Sequence, residues 1–486
     1  MDFDDAVARL EARIPRRREQ LDPATRPRPD LPVGTDLLPR IRHIVVLMME
    51  NHSFDNYLGM LGRGDGLTGA ESNPGPDGEP VAVHHLTSTG QVAGVPSQSW
   101  AASHRQWNGG AMDGFANSAA EQPGEWGGTG VGSGGTGDDS AGDDSAGDDR
   151  ASGGTGTDYK GGGPALAMGH WTGDDLPFYA DLAATFPLCD RWFSSCMGPT
   201  FPNRRFLVAG TANGLASDNL LETIDFPPHG TVLDLLSDHG ITWGNYHSAA
   251  HSRPVLERLG GRGTLRAARR LGSRARGALA DLRAMENEAK TYLQFTANAY
   301  PLGLLGYVGH VWSVRRFLRQ AAAGTLPAFS IVDPDFRANS EENPQDVRLG
   351  EAFSSRVIEA VLHGAGWPGT LLVWLYDEHG GYYDHVPPPP AVPPDGVRPG
   401  PGGPWGFDRY GFRVPAVVVS PYARPGYVSS VVRDHTSILR LVETKWNLPA
   451  LTARDAASDD LLDCVDLESP PPFLRPPSLS RPALDR

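Results

Sequence analysis

The sequence predicts an α/β fold built on a mostly parallel sheet with helices on both faces. Three observations carry this. Residues 41–49, 328–332, 370–376 and 414–420 are short apolar runs without polar alternation, so both their faces expect burial. Stretches of helical periodicity lie between them, as crossovers require. And 486 residues, 39% of them apolar, suffice for one large core.

In chain order, residues 1–20 place acids ahead of a basic cluster and contain no apolar leader core. The expected location is therefore cytoplasmic, or another compartment reached by another route. Phe3, Val7, Leu10 and Ile14 suit a short amphipathic helix, and a Pro-rich arm extends to residue 40. The first strand, 41–49, follows. Residues 124–163 hold 16 of the 59 glycines and the repeat DDSAGDDSAGDD, which cannot bury a core; they read as a flexible loop.

Helices are expected at 175–186, 204–212 and 232–239, with a short strand-like run at 241–243. Residues 258–283 carry eight arginines against one aspartate in a helical pattern. They read as an exposed helical insertion, with peripheral contact to an anionic or phospholipid surface as the functional alternative. Beyond lie a helix at 313–323, the strand 328–332, a helix at 351–363, the strand 370–376, a Pro/Gly segment at 387–404, the strand 414–420 and a helix at 436–446. The domain reading is an arm (1–40), a single catalytic domain (41–449, with insertions at 124–163 and 258–286) and a Pro-rich tail (450–486).

Composition narrows the function classes. The net charge is −15, from 43 Lys and Arg against 58 Asp and Glu. About half of it, −7, sits in or beside the Gly/Asp-rich loop, so the charge says little about substrate. Nothing global favours a nucleic-acid partner. No apolar stretch approaches the roughly 20 residues of a membrane-spanning helix. Cys189, Cys196 and Cys464 cannot form a disulfide framework or a zinc site; free thiols are expected rather than a Cys189–Cys196 bridge.

Ligands of such folds bind beyond the carboxyl ends of the strands, so polar residues directly after an apolar run are informative. After Met49 come Glu50-Asn51-His52-Ser53-Phe54-Asp55, two hard oxygen donors suited to a divalent cation, or an Asx-type turn that caps a helix. After Tyr376 come Asp377-Glu378-His379-Gly380-Gly381-Tyr382-Tyr383-Asp384-His385. Adjacent carboxylates after a buried strand repel, and a cation is the economical compensation. Gly198-Pro199-Thr200-Phe201-Pro202-Asn203-Arg204 opens a helix, whose free N–H groups favour a phosphate. His104, His247 and His435 stand in polar contexts, though a lone histidine is more often structural.

These residues resemble the phosphoesterase family, which contains bacterial and plant non-specific phospholipases C and AcpA-type acid phosphatases. Residues 49–55 resemble its ENRSFD block, residues 198–204 its GPTxPNR block, residues 377–386 its DEHGGxYDHV block, and Phe412-Arg413-Val414-Pro415 with Ser420-Pro421 its RVP…SP block. The blocks keep family order across about residues 41–449. The resemblance implies an alkaline-phosphatase-like α/β/α fold and phosphoester hydrolysis. Thr200 then matches the nucleophile, and Glu50, Asn51, Asp377 and Glu378 match ligands of a divalent metal (Mg, Ca, Mn or Zn). His104 and His247 match histidines around the phosphoryl group, with His247 expected to protonate the leaving group. Asn203, Asn343, His379, Asp384 and His385 are expected on the substrate.

Two departures stand out. Asn343 occupies a position that is commonly His before Pro, and His52 replaces the usual Arg. Asn donates a hydrogen bond but is no acid near neutral pH. The implied activity is phospholipase C on phospholipids or related phosphodiesters through a phospho-threonine. Acid phosphatase action on monoesters is the alternative, and a non-catalytic phospholipid-binding protein the second. A sulfatase is disfavoured, because Thr200 cannot become formylglycine.

Overall fold

Val45, Leu47, Leu372 and Trp374 are wholly buried, and the strands that carry them pair at the centre of the molecule. The computed structural model describes residues 18–91, 96–118, 163–218, 225–247, 296–300, 307–400 and 405–485. The N-terminal amphipathic helix, the DDSAG repeat and the Arg-rich segment lie outside the described residues. The main sheet contains β1 (His43–Met49), β2 (Leu188–Cys189), β3 (Trp243–His247), β4 (Val311–Ser313), β5 (Phe329–Asp333), β6 (Thr370–Tyr376), β7 (Ala416–Val419) and β8 (Val428–Ser429). Their order is β8-β2-β7-β6-β1-β5-β3-β4. β7 is antiparallel to both its neighbours; every other pairing is parallel. The expected mostly parallel sheet is therefore observed, with helices on both sides in an α/β sandwich.

Register fixes which residues leave the sheet together. Met49 pairs with Tyr376, so Glu50 and Asp377 emerge side by side. Leu47 pairs with Val332, and His247 with Asp333, which brings β5 and β3 to the same edge. Polar side chains from four adjacent strand ends thus converge on one crevice.

The helices that matter for that crevice are α1 (Phe54–Leu58), α2 (Trp100–Trp107), α3 (Pro177–Thr185), α4 (Thr200–Ala209), α5 (Val232–Asp238), α6 (Val314–Ala323), α7 (Val347–Leu362) and α8 (Thr436–Trp446). Helix α4 starts four residues earlier than its apolar pattern suggests. Pro202 lies within the first turn, where its missing N–H removes no helical bond. Helix α7 also starts earlier, because Asp346 caps it by accepting from Arg348 N.

Residues 18–40 dock on the end of α8, where Leu37 N donates to Lys445 O (2.7 Å) and Gly34 N to Trp446 O (2.9 Å). Residues beyond 450 do more than trail over the surface: Leu461, Cys464 and Val465 enter the main core. All three cysteines are free and buried. Cys189 Sγ lies 4.0 Å from Cys464 Sγ, so its sulfur neighbour is not Cys196.

Candidate active site

Thr200 is the first residue of α4, and its Oγ1 lies 3.4 Å from Asn51 Oδ1. The same Asn51 amide atom sits 3.0 Å from Glu378 Oε1 and 3.2 Å from Asp377 Oδ1. An oxygen so close to two carboxylate oxygens requires a cation among them, or an amide turned over so that its NH2 donates to both. Asn51 itself is held in the left-handed region (φ 66°), a conformation that marks a constrained turn. Gly380 (φ 66°) lets the second loop close on it: a Cβ there would stand 1.9 Å from Asn51 O.

Arg204 secures the other side of this cluster. Its guanidinium donates from Nε to Asp377 Oδ2 (3.0 Å), from Nη1 to Asp333 Oδ1 (2.7 Å) and from Nη2 to Glu50 Oε1 (3.3 Å). One helical residue therefore neutralises acids from the ends of β6, β5 and β1 and fixes α4, with Thr200 at its tip, against the sheet. Glu50 Oε2 is buried without a hydrogen-bond partner among the described residues, and burial, then Asp377, pushes its carboxyl well above the usual range. Glu378 is pushed up in the same way.

Among the described residues no three His, Cys, Asp or Glu side chains already close around one point as a metal site. The donor set is nevertheless of the right kind for a hard cation. It offers the Asn51 amide oxygen, the Asp377 and Glu378 carboxylates, and an orphaned Glu50 oxygen beside them. Those are the four positions the sequence nominated for metal, and three of them share the Thr200 corner.

The remaining nominated residues divide. His247 ends β3 opposite Asp333 and is buried; burial lowers its pKa, so the ring is neutral near neutral pH. Asn343 accepts from Tyr382 OH (3.1 Å). His379 is buried beside Glu378, with Nδ1 3.2 Å from Glu378 Oε2 and Nε2 2.7 Å from Gln106 Oε1. The Gln106 NH2 donates to Ser97 O and Ser118 Oγ, so its oxygen accepts and Nε2 carries the proton. Burial holds this imidazole down to about 3, and it stays neutral.

Asn203 does not present its amide to the crevice. Oδ1 accepts from Cys196 N (3.0 Å) and Nδ2 donates to Gly198 O (2.8 Å) and Pro199 O (3.1 Å). It shapes the loop that delivers Thr200. The helix terminus is also less open than expected: Phe201 N donates to Asp218 Oδ1 (2.8 Å), and Pro202 has no N–H.

Asp384 and His385 belong to a separate ion network. Arg413 donates from Nε to Asp384 Oδ1 (2.8 Å) and from Nη2 to Asp55 Oδ1 (3.0 Å), and His385 Nδ1 lies 2.7 Å from Asp55 Oδ2. These residues lock the 50–55 and 377–386 segments to the segment before β7. His104 points its Nδ1 at Trp100 O (2.7 Å) and stacks on Trp405 at 4.2 Å. The Trp100 ring in turn abuts Gly198, in the loop before Thr200.

The sequence reading missed Asp333, Asp218 and Gln106, and quoted Arg204 only as part of a motif. Asp333 had a signal: it is the first polar residue after the 328–332 run, the rule that found Glu50 and Asp377.

Known proteins resemble this chain along most of its length. The profile of the Phosphoesterase family matches residues 41–449. The chain is 29% identical to non-specific phospholipase C6 of Arabidopsis thaliana over 456 residues, covering 87% of this chain and 72% of that protein. It is 28% identical to phospholipase C A of Mycobacterium tuberculosis over 482 residues, covering 91% of this chain and 80% of that protein. Phospholipase C B of the same organism is 29% identical over 487 residues, covering 92% and 80%.

Proposed function

As a member of the phosphoesterase family this chain is a phosphoric ester hydrolase, and we propose that it is a metal-dependent phospholipase C acting on phospholipids or related phosphodiesters. The observation that supports this is the Thr200 hydroxyl at the tip of α4, 3.4 Å from the Asn51 amide atom that faces two strand-end carboxylates. The phospholipase reading over a phosphatase draws on the names of the relatives.

Asn51, Asp377 and Glu378, with Glu50 behind them, would hold a divalent cation. Bound there, it would polarise the phosphoryl group and lower the pKa of the neighbouring hydroxyl. Thr200 is the nucleophile, giving a phospho-threonine. Asn203 and Arg204 fix its position: the first builds the preceding loop, and the second clamps the helix to three strand ends. Neutral His247 at the end of β3 offers a hydrogen bond to the phosphoryl oxygens, a task a lowered pKa suits better than proton donation.

The test runs an aryl monoester and a phosphocholine diester side by side, with and without added divalent metal. Metal-dependent turnover of the diester supports the phospholipase reading, and preference for the monoester replaces it with phosphatase. A folded protein inactive on monoesters, diesters and phospholipids across pH 5–9 overturns both.

A further inference from the structure

Glu342 sits in the loop between β5 and α7, beside the crevice, and nothing above uses it. Its backbone is tied to the site. Glu342 N donates to Ser340 Oγ (3.3 Å), and Ser340 O accepts from Glu50 N (3.2 Å), the residue that opens the candidate metal set. On its other side Gln345 N donates to Glu342 O (2.9 Å). The side chain is half-buried, and its carboxyl has no hydrogen bond or ion pair among the described residues.

That distinguishes it from its neighbours. Glu341 accepts from the hydroxyls of Tyr57, Tyr179 and Tyr376; Asp333 takes Arg204, Thr296 and Asn245; Asp377 takes Arg204 and two backbone amides. The charges that face Glu342 are Asp218, from the segment after α4, Asp377, from the end of β6, and Arg204; Glu50 and Glu378 feel it in turn. Burial first, then the two aspartates, push its carboxyl up to about 7 against the pull of Arg204. Asp218 also takes the Phe201 N–H beside Thr200, so an unpaired carboxyl stands among the charged groups that flank the nucleophile, in a site whose position 343 is an amide.

We propose that Glu342 is the general acid that protonates the leaving group; this rests on the phosphoester reading above. In the first step the Thr200 oxygen, as the alkoxide, bonds to phosphorus and the ester P–O bond breaks. The departing oxygen takes the Glu342 proton and leaves as the alcohol. In the second step water attacks the phosphorus, the Glu342 carboxylate takes the water proton, and the Thr200 oxygen departs as the alkoxide. One ester and one water give one alcohol and one phosphate product, and the enzyme returns to its starting protonation state.

The test exploits leaving-group chemistry, because an alkoxide needs a proton and a nitrophenolate scarcely does. Metal-loaded wild type, Glu342→Gln and Glu342→Asp are compared on an aryl and an alkyl ester of the class wild type turns over, either 4-nitrophenyl phosphate with glycerol phosphate or 4-nitrophenyl phosphorylcholine with a short-chain phosphatidylcholine. Expected for Glu342→Gln is a loss in kcat/KM about 100-fold greater on the alkyl than on the aryl ester. The alkaline limb of the alkyl pH profile disappears, bound metal per chain is unchanged, and Glu342→Asp recovers part of the rate. Equal losses on both esters overturn the proposal. So does a change in KM alone for esters with a cationic headgroup, which marks a headgroup contact, or a fall in bound metal, which marks a ligand. Wild type inactive on every ester instead removes the phosphoester reading beneath it.

Discussion

Replacing Arg204 with Met keeps much of the side-chain volume and deletes the charge that holds three strand ends together. The three acids do not lose equally. Asp333 retains donors from Thr296 N (3.0 Å), Thr296 Oγ1 (2.6 Å) and Asn245 Nδ2 (2.6 Å). Asp377 retains Asn51 N (3.2 Å) and Glu378 N (2.8 Å), both on Oδ1. Glu50 retains nothing, since Oε2 already lacks a partner among the described residues. Removing one partner of a buried pair costs about 3–5 kcal/mol. With Asp333 still satisfied, the expected loss for Arg204→Met is about 3 kcal/mol in metal-free protein, read from urea unfolding in EDTA. Arg204→Lys restores one charge but not the fork, so it falls between the two. A divalent cation should stabilise the Met variant at least as well as wild type, because it supplies charge to the Asp377 and Glu50 carboxylates. A loss below about 1 kcal/mol, with the Lys variant indistinguishable, would refute the idea that Arg204 carries the charge balance of the site.

Two further outcomes follow from the geometry. Gly380→Ala meets both a left-handed backbone and a Cβ 1.9 Å from Asn51 O. Left-handed strain alone is worth about 1–2 kcal/mol, and the clash moves the Asn51 carbonyl, so thermal stability and metal-dependent activity should fall together. Activity retained at wild-type level would show that the Asn51 loop is not held by this contact. For His385, burial works against the charged ring, but Asp55 at 2.7 Å more than offsets it and holds the imidazolium up to about 9. A folded-state value above the ordinary 6.5 gives stability that is complete below pH 6.5 and lost as pH rises through 9. The thermal-stability gap between wild type and His385→Gln should therefore narrow from pH 6.5 to 9.5; a constant gap would contradict the pairing. Asp384, raised to about 6 chiefly by burial, acts in a separate window at lower pH.

Much of the fold and part of the site were legible in the sequence, for identifiable reasons. Residues 44–49 and 371–375 contain no polar residue and 328–332 only Ser330, and only burial on both faces tolerates that, so β1, β5 and β6 were visible. The polar residues that follow each run then mark the crevice, which is how Glu50, Asn51, Asp377 and Glu378 were nominated. Strands β2 and β8 were not visible because two residues carry no periodicity; β2 pairs along the edge of β7, and β8 along that of β2. Nor could spacing show that Arg204 meets Asp333 and Asp377, 129 and 173 positions away. Asp384 and His385 were misread for a related reason. Carboxylate and imidazole beside a metal motif look catalytic in one dimension, and only the fold reveals that Arg413 and Asp55 engage them. Asn203 likewise lies one turn from the nucleophile yet turns its amide back into the loop.

The central claim is that Thr200 becomes covalently phosphorylated. Metal-loaded protein mixed with whichever 4-nitrophenyl ester it turns over, the phosphate or the phosphorylcholine, quenched in acid within the first turnovers and digested, gives the direct reading by mass spectrometry. The account predicts a phosphoryl group, still carrying the choline when the diester is used, on the Thr200 side chain, absent from Thr200→Ala, which also loses turnover while remaining folded. Turnover by Thr200→Ala at a rate near wild type, with no modified threonine in either protein, would contradict it.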